Sequence, residues 1–88
     1  MSPHHDDPFL TCVRQRESGN NYTAHSPDGQ YHGAYQFHQA TWDATARHIG
    51  RTDLVGMDPH TAPPALQDDM AWALYQWQGS GPWAGVGC

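Results

Sequence analysis

The chain has 88 residues, enough for one small domain with a modest core. Its net charge is −5, with four arginines and no lysine, so the basic footprint that nucleic-acid binding needs is absent. No apolar run approaches the ~20 residues of a membrane span, and Met1–Asp7 has no apolar h-region, so any export signal is expected upstream of this chain.

In chain order, residues 1–6 are expected as a disordered leader and 7–88 as a single domain. Asp7 then Pro8 opens a helix, with Asp as N-cap and Pro at the first helical position. Phe9, Leu10 and Val13 give it an apolar face, and Gly19 ends it. Residues 21–37 change period. Tyr22, Ala24, Tyr31, Gly33, Tyr35 and Phe37 predict a short hairpin turning at Pro27-Asp28-Gly29. A second helix is predicted over about 39–49, with Trp42, Thr45, Ala46 and Ile49 on one face and Gly50 as its stop. Residues 51–62 connect, with one turn near Thr52–Val55. A third helix is predicted from near Pro63-Pro64 to Gln78, with Leu66, Met70, Ala73, Leu74 and Trp77 lining one face. Asp68 and Asp69 fall early in it, where the helix dipole favours them. A Gly-Ser-Gly-Pro loop then carries Trp83 and Cys88.

The two cysteines, Cys12 and Cys88, are either free thiols or a bridge closing nearly the whole chain. A terminal cysteine has little packing value unless bonded, so a bridge, and with it an oxidising compartment, is expected.

Of nine carboxylates one is a glutamate, Glu17. It follows Val13 by four positions and Leu10 by seven, so it shares the apolar face at the helix C-terminus. Burial and the helix dipole would both raise its pKa and keep a proton available for donation; pairing with Arg14 or Arg16 would make it an ordinary surface residue. Asp28, at the expected hairpin tip, and Asp43, beside Trp42, are poor candidates for a partner carboxylate. Tyr22, Tyr31, Tyr35, Trp77 and Trp83 lie on elements that would line a cleft, whereas Trp42 and Trp72 read as core. The seven histidines show no zinc spacing, so neither metal nor cofactor is expected.

Glu17-Ser18-Gly19-Asn20-Asn21-Tyr22 resembles the E-S-G-x-N-W/Y element of resuscitation-promoting factors and related transglycosylase-like domains. Tyr31-His32-Gly33-Ala34-Tyr35-Gln36-Phe37 resembles their Y-G-G-L-Q-F/I strand, and Gln39-Ala40-Thr41-Trp42 their T-W helix start. Pro63-Pro64-Ala65-Leu66-Gln67 resembles their S-P-x-x-Q element, and Gln78-Gly79-Ser80-Gly81-Pro82-Trp83 through Cys88 their Q-G-x-G-x-W ending with its cysteine. The resemblance implies a reduced lysozyme-like α+β fold, three helices and a short hairpin stapled by the Cys12–Cys88 disulfide. It implies cleavage of the β-1,4 bond between N-acetylmuramic acid and N-acetylglucosamine, by a lytic transglycosylase or muramidase acting on peptidoglycan strands. It assigns the catalytic acid to Glu17 and substrate contacts to Gln36, Thr41 and Gln78; Tyr22, Tyr35 and Trp83 are taken with them as sugar-facing aromatics. His32 stands where the family has glycine and His38 where many members have Asp or Ser, which motivates a second reading, a non-catalytic peptidoglycan-binding module. A monomer acting outside the cell or in the wall is expected, as part of a secreted actinobacterial protein or a phage tail protein.

Overall fold

A computed structural model describes residues 2–88. Among these residues are three helices, α1 Pro8–Ser18, α2 Gln39–His48 and α3 Pro64–Gln78, with α3 packed on α1 and α2, and an antiparallel hairpin, β1 Tyr31–His32 and β2 Phe37–His38, whose β2 packs on α2. Single 3-10 turns lie at Thr52–Leu54, Pro59–Thr61 and Gly81–Trp83. The expected α+β architecture is present, and Cys12 and Cys88 are bonded.

The limits of α1 follow from its caps. Asp7 Oδ2 accepts the Leu10 N–H at 3.1 Å, with Pro8 at the first position. At the other end Gly19 and Asn20 both take left-handed φ, 64° and 67°. Their N–H groups return to the carbonyls of Gln15 and Arg14, which satisfies the last turn. Ser18 then ties this end to the hairpin by donating to the Ala34 carbonyl at 2.8 Å.

The hairpin turns later than expected. Tyr31 pairs with His38 and His32 with Phe37, so the reversal is at 33–36. The turn at 27–29 does form, with Gly29 N–H bonded to the Ser26 carbonyl, but it is joined to β1 through a single bridge between His25 and His32. The cause is Gln67 on α3. Its Oε1 accepts the Ala34 N–H at 2.9 Å, and its Nε2 donates to the carbonyls of Tyr22 and Ala62. Gly33, at φ 82°, lies so close to this carboxamide that a Cβ would overlap it. A side chain from α3 therefore supplies partners that a continued ladder would have supplied.

Two residues on the apolar helix faces are exposed, and Trp77, expected beside the cleft, lines neither of its two hollows. Ile49 is the C-cap of α2, and Trp77 lies outside, stacked on His48 at 4.1 Å. Trp42 is fully buried as expected, its indole N–H donating to the Leu54 carbonyl at 2.9 Å. Residues 2–6, expected as a disordered leader, lie against α3; Met1 is outside the described residues. Ser2 is buried and bonds Asp69, His4 stacks on half-buried Trp72 at 4.4 Å, and His5 Nδ1 sits 2.9 Å from Asp68 Oδ2. Apolar and polar partners on α3 outweigh the polar composition of the segment.

Asp68 does more than complement a helix dipole. It is 1 % exposed, and its Oδ1 accepts the hydroxyls of Tyr22 and Tyr35 at 2.6 Å each. Arg14, 3 % exposed, donates to the Tyr35 hydroxyl at 2.8 Å and lies 3.6 Å from Asp68. Burial, then the bond to Asp68, pushes both phenols well above their ordinary pKa, so they remain neutral donors. Asp68→Asn leaves Arg14 without its buried counter-charge. The variant is expected to unfold with about 1.5–3 kcal/mol less stability in a urea titration; an unchanged midpoint would remove the cluster from the stabilising contacts.

Candidate active site

The C-terminus of α1, the hairpin turn, the start of α2, the end of α3 and the loop after it converge on one face. Two adjoining hollows open there, of about 190 and 300 Å³. Tyr31, Gln36, Pro82 and Trp83 line both, so they form one continuous cleft. Glu17 lies at one end, with Ala84 and Val86; Thr41, Gln78 and His38 line the other.

Each side chain is there for a local reason. Glu17 is carried by the last turn of α1, which Ser18 fixes to the hairpin turn. Gln36 has φ 54°, and its Nε2 donates to the Gly33 carbonyl at 2.9 Å, turning the side chain across the cleft. Thr41 lies in the first turn of α2, whose N-cap is His38: Nδ1 accepts the Ala40 N–H at 3.2 Å. Gln78 is the last residue of α3 before Gly79. Trp83 is held by its indole N–H on the Tyr35 carbonyl at 3.3 Å, and the disulfide draws the tail after it back onto α1.

Glu17 is half-buried, and desolvation raises its pKa above the ordinary carboxylate value. Among the described residues no ion pair involves it; Arg14 is committed to the interior cluster. Among the described residues no other carboxylate lines the cleft. Asp28 is exposed and caps its own turn through Ser26 and the Gln30 N–H, which holds its pKa down. Asp43 accepts from Gln39 and from the Gly56 N–H, anchoring the long connection.

The structure thus gathers Glu17, Gln36, Thr41, Gln78 and Trp83. It does not bring the tyrosines to the same role. Tyr22 lines neither hollow, and Tyr35, though at the wall, has no exposed surface, because both hydroxyls are drawn inward by Asp68. Trp83 is 6 % exposed, a wall more than a stacking platform. Tyr31 is 44 % exposed and borders both hollows, with the His38 ring edge-on to it at 6.1 Å. Its signal in the sequence is its place beside the His-Gly turn, one strand position from a bend. Away from the cleft, His32, Asp58 and His60 approach one another closely enough to hold a metal ion.

The chain matches the transglycosylase-like domain family over residues 5–86. It is 41 % identical over 74 residues to the probable transglycosylase SceD of Staphylococcus aureus strain Newman, covering 84 % of this chain and 30 % of that protein. It is 39 % identical over 74 residues to the probable transglycosylase SceD 3 of Staphylococcus saprophyticus, covering 84 % of this chain and 29 % of the relative. The matched segment thus spans less than a third of these relatives. No solved structure matches.

Proposed function

The chain belongs to the transglycosylase-like domain family, and from that premise we propose that it cleaves peptidoglycan strands between N-acetylmuramic acid and N-acetylglucosamine, with Glu17 as acid and then base. The observation that carries this is a single desolvated carboxyl at the end of a cleft otherwise lined by Gln, Thr and aromatic side chains. Two-carboxylate glycosidases need a partner about 5–9.5 Å away, and among the described residues none lines this cleft. One carboxyl suffices for transglycosylation. Protonated Glu17 gives its proton to the glycosidic oxygen as the bond from muramic C1 to that oxygen breaks. The carboxylate then takes the proton of the C6 hydroxyl as O6 bonds to C1. The products are a 1,6-anhydromuramic end and a glucosamine with a free 4-hydroxyl; no water is consumed and Glu17 ends protonated.

Gln36, Thr41 and Gln78 would bond hydroxyl and acetamido groups, and the Tyr31 face would pack on a pyranose ring. Such a substrate places the domain's action in the wall or outside the cell, which suits its disulfide. Of the two departures that motivate a binding-only module, His32 lines neither hollow, while His38 both caps α2 and lines the cleft.

Mass spectrometry of peptidoglycan digested by the purified domain tests the proposal. Anhydromuramic ends are expected. Reducing ends alone would replace transglycosylation with hydrolysis, and no soluble fragments at all would refute the activity.

A further inference from the structure

Outside the cleft, three metal-binding side chains meet. His32 on β1 and His60 on the turn Pro59–Thr61 bring their Nδ1 atoms to 3.1 Å. Asp58 Oδ1 lies 3.1 Å from the first and 2.7 Å from the second. The two imidazole rings are nearly parallel, 9° apart, and His25, bridged to β1, sets a third ring 5.3 Å from His60.

Hydrogen bonding alone accounts poorly for this triangle. A neutral imidazole carries one N–H, on either nitrogen. If both Nδ1 atoms carry hydrogen, two donors 3.1 Å apart crowd onto one oxygen that also accepts the His60 backbone N–H. If one is bare, its lone pair faces a carboxylate. A cation removes both conflicts. Tetrahedral zinc holds imidazole nitrogen and carboxylate oxygen at about 2.0–2.2 Å, which spaces the ligand atoms about 3.3 Å apart. Two edges of the observed triangle, at 3.1 Å, are close to that, and the Asp58–His60 edge, at 2.7 Å, would have to open to admit the ion. His32 and His60 are 15 % and 27 % exposed and Asp58 40 %, so an ion can reach the cluster and keep a water in a fourth position. Two imidazoles and one carboxylate suit zinc better than calcium or magnesium, which prefer all-oxygen shells.

We propose that His32, Asp58 and His60 form a zinc site that clamps the connection after α2 to the hairpin. His32 adjoins Tyr31, so the clamp holds one edge of the cleft, while its ligands stay outside it. The sequence concealed it because the ligands are an Asp-x-His pair and a histidine on a different element.

Calorimetric titration of the full chain with zinc chloride, paired with imidazole NMR, tests this at neutral pH. One zinc ion per chain is expected, with shifts at the His32 and His60 rings and a higher melting temperature that EDTA reverses. His60→Gln and His32→Gln should keep the circular dichroism spectrum and weaken zinc binding at least ~10-fold, whereas His4→Gln should leave it unchanged. No saturable binding, or binding that survives both cluster variants, would overturn the proposal.

Discussion

Glu17→Gln is expected to abolish most glycan cleavage, by about 10²–10⁴-fold in kcat, while the folded domain persists. Gln keeps the shape and the half-buried position but has no proton to give. The pH dependence of the proposed cleavage by the unaltered domain should carry the same signature. A single group that must start protonated gives a rate that falls with rising pH through its own pKa, here one raised above the ordinary value by desolvation. Separate acid and base carboxyls would give a bell. Stability provides an independent check. The folded pKa lies above the unfolded one, so the protonated form favours folding. That contribution is complete below the unfolded pKa and is lost as pH rises through the folded pKa. Glu17→Gln, permanently neutral, should therefore melt higher than the unaltered protein at pH 7 and no higher at pH 3. Retained cleavage in the variant would remove Glu17 from the chemistry, and a melting difference independent of pH would remove its ionisation from the stability.

What was legible beforehand follows a physical line. Features encoded within a few residues could be read directly. Asp7-Pro8 and Gly19 bound α1, and Pro64 to Gln78 bounds α3, because capping and dihedral preference act locally. The positions of Glu17, Gln36, Thr41 and Gln78 along one cleft were read from a family pattern spread over the chain. Features set by a partner far along the chain were not. The hairpin turn depends on Gln67, 33 residues after Ala34. The inward pull on Tyr22 and Tyr35 depends on Asp68, 46 and 33 residues away; it leaves Tyr35 fully buried and Tyr22 half-buried against the core. Residues 2–6 dock because Asp68, Asp69 and Trp72 present partners that their own composition does not announce.

Opening the Cys12–Cys88 bridge is expected to have the largest effect on stability. It closes a span of 76 residues, and constraining so long a loop in the unfolded chain is worth roughly 4.5 kcal/mol in the chain-entropy treatment. A domain of this size has a total stability of only about 5–10 kcal/mol. Cys88→Ser, or reduction, should thus lower the melting temperature by about 20 °C or more. A shift of a few degrees would mean that the tail is held by its other contacts. The bond also bears on the chemistry. Cys12 and Glu17 share α1, and the bridge returns the tail beside the acid, where Ala84 and Val86 line the same hollow. Part of the desolvation that raises the Glu17 pKa therefore depends on that tail. In Cys88→Ser, assayed at a temperature where it stays folded, the descending limb of the pH–rate profile should move toward lower pH, as Glu17 recovers solvent and its pKa returns toward the ordinary carboxylate value. A profile that loses amplitude without moving would separate the staple from the acid. A profile that moves would make the disulfide part of what raises the Glu17 pKa.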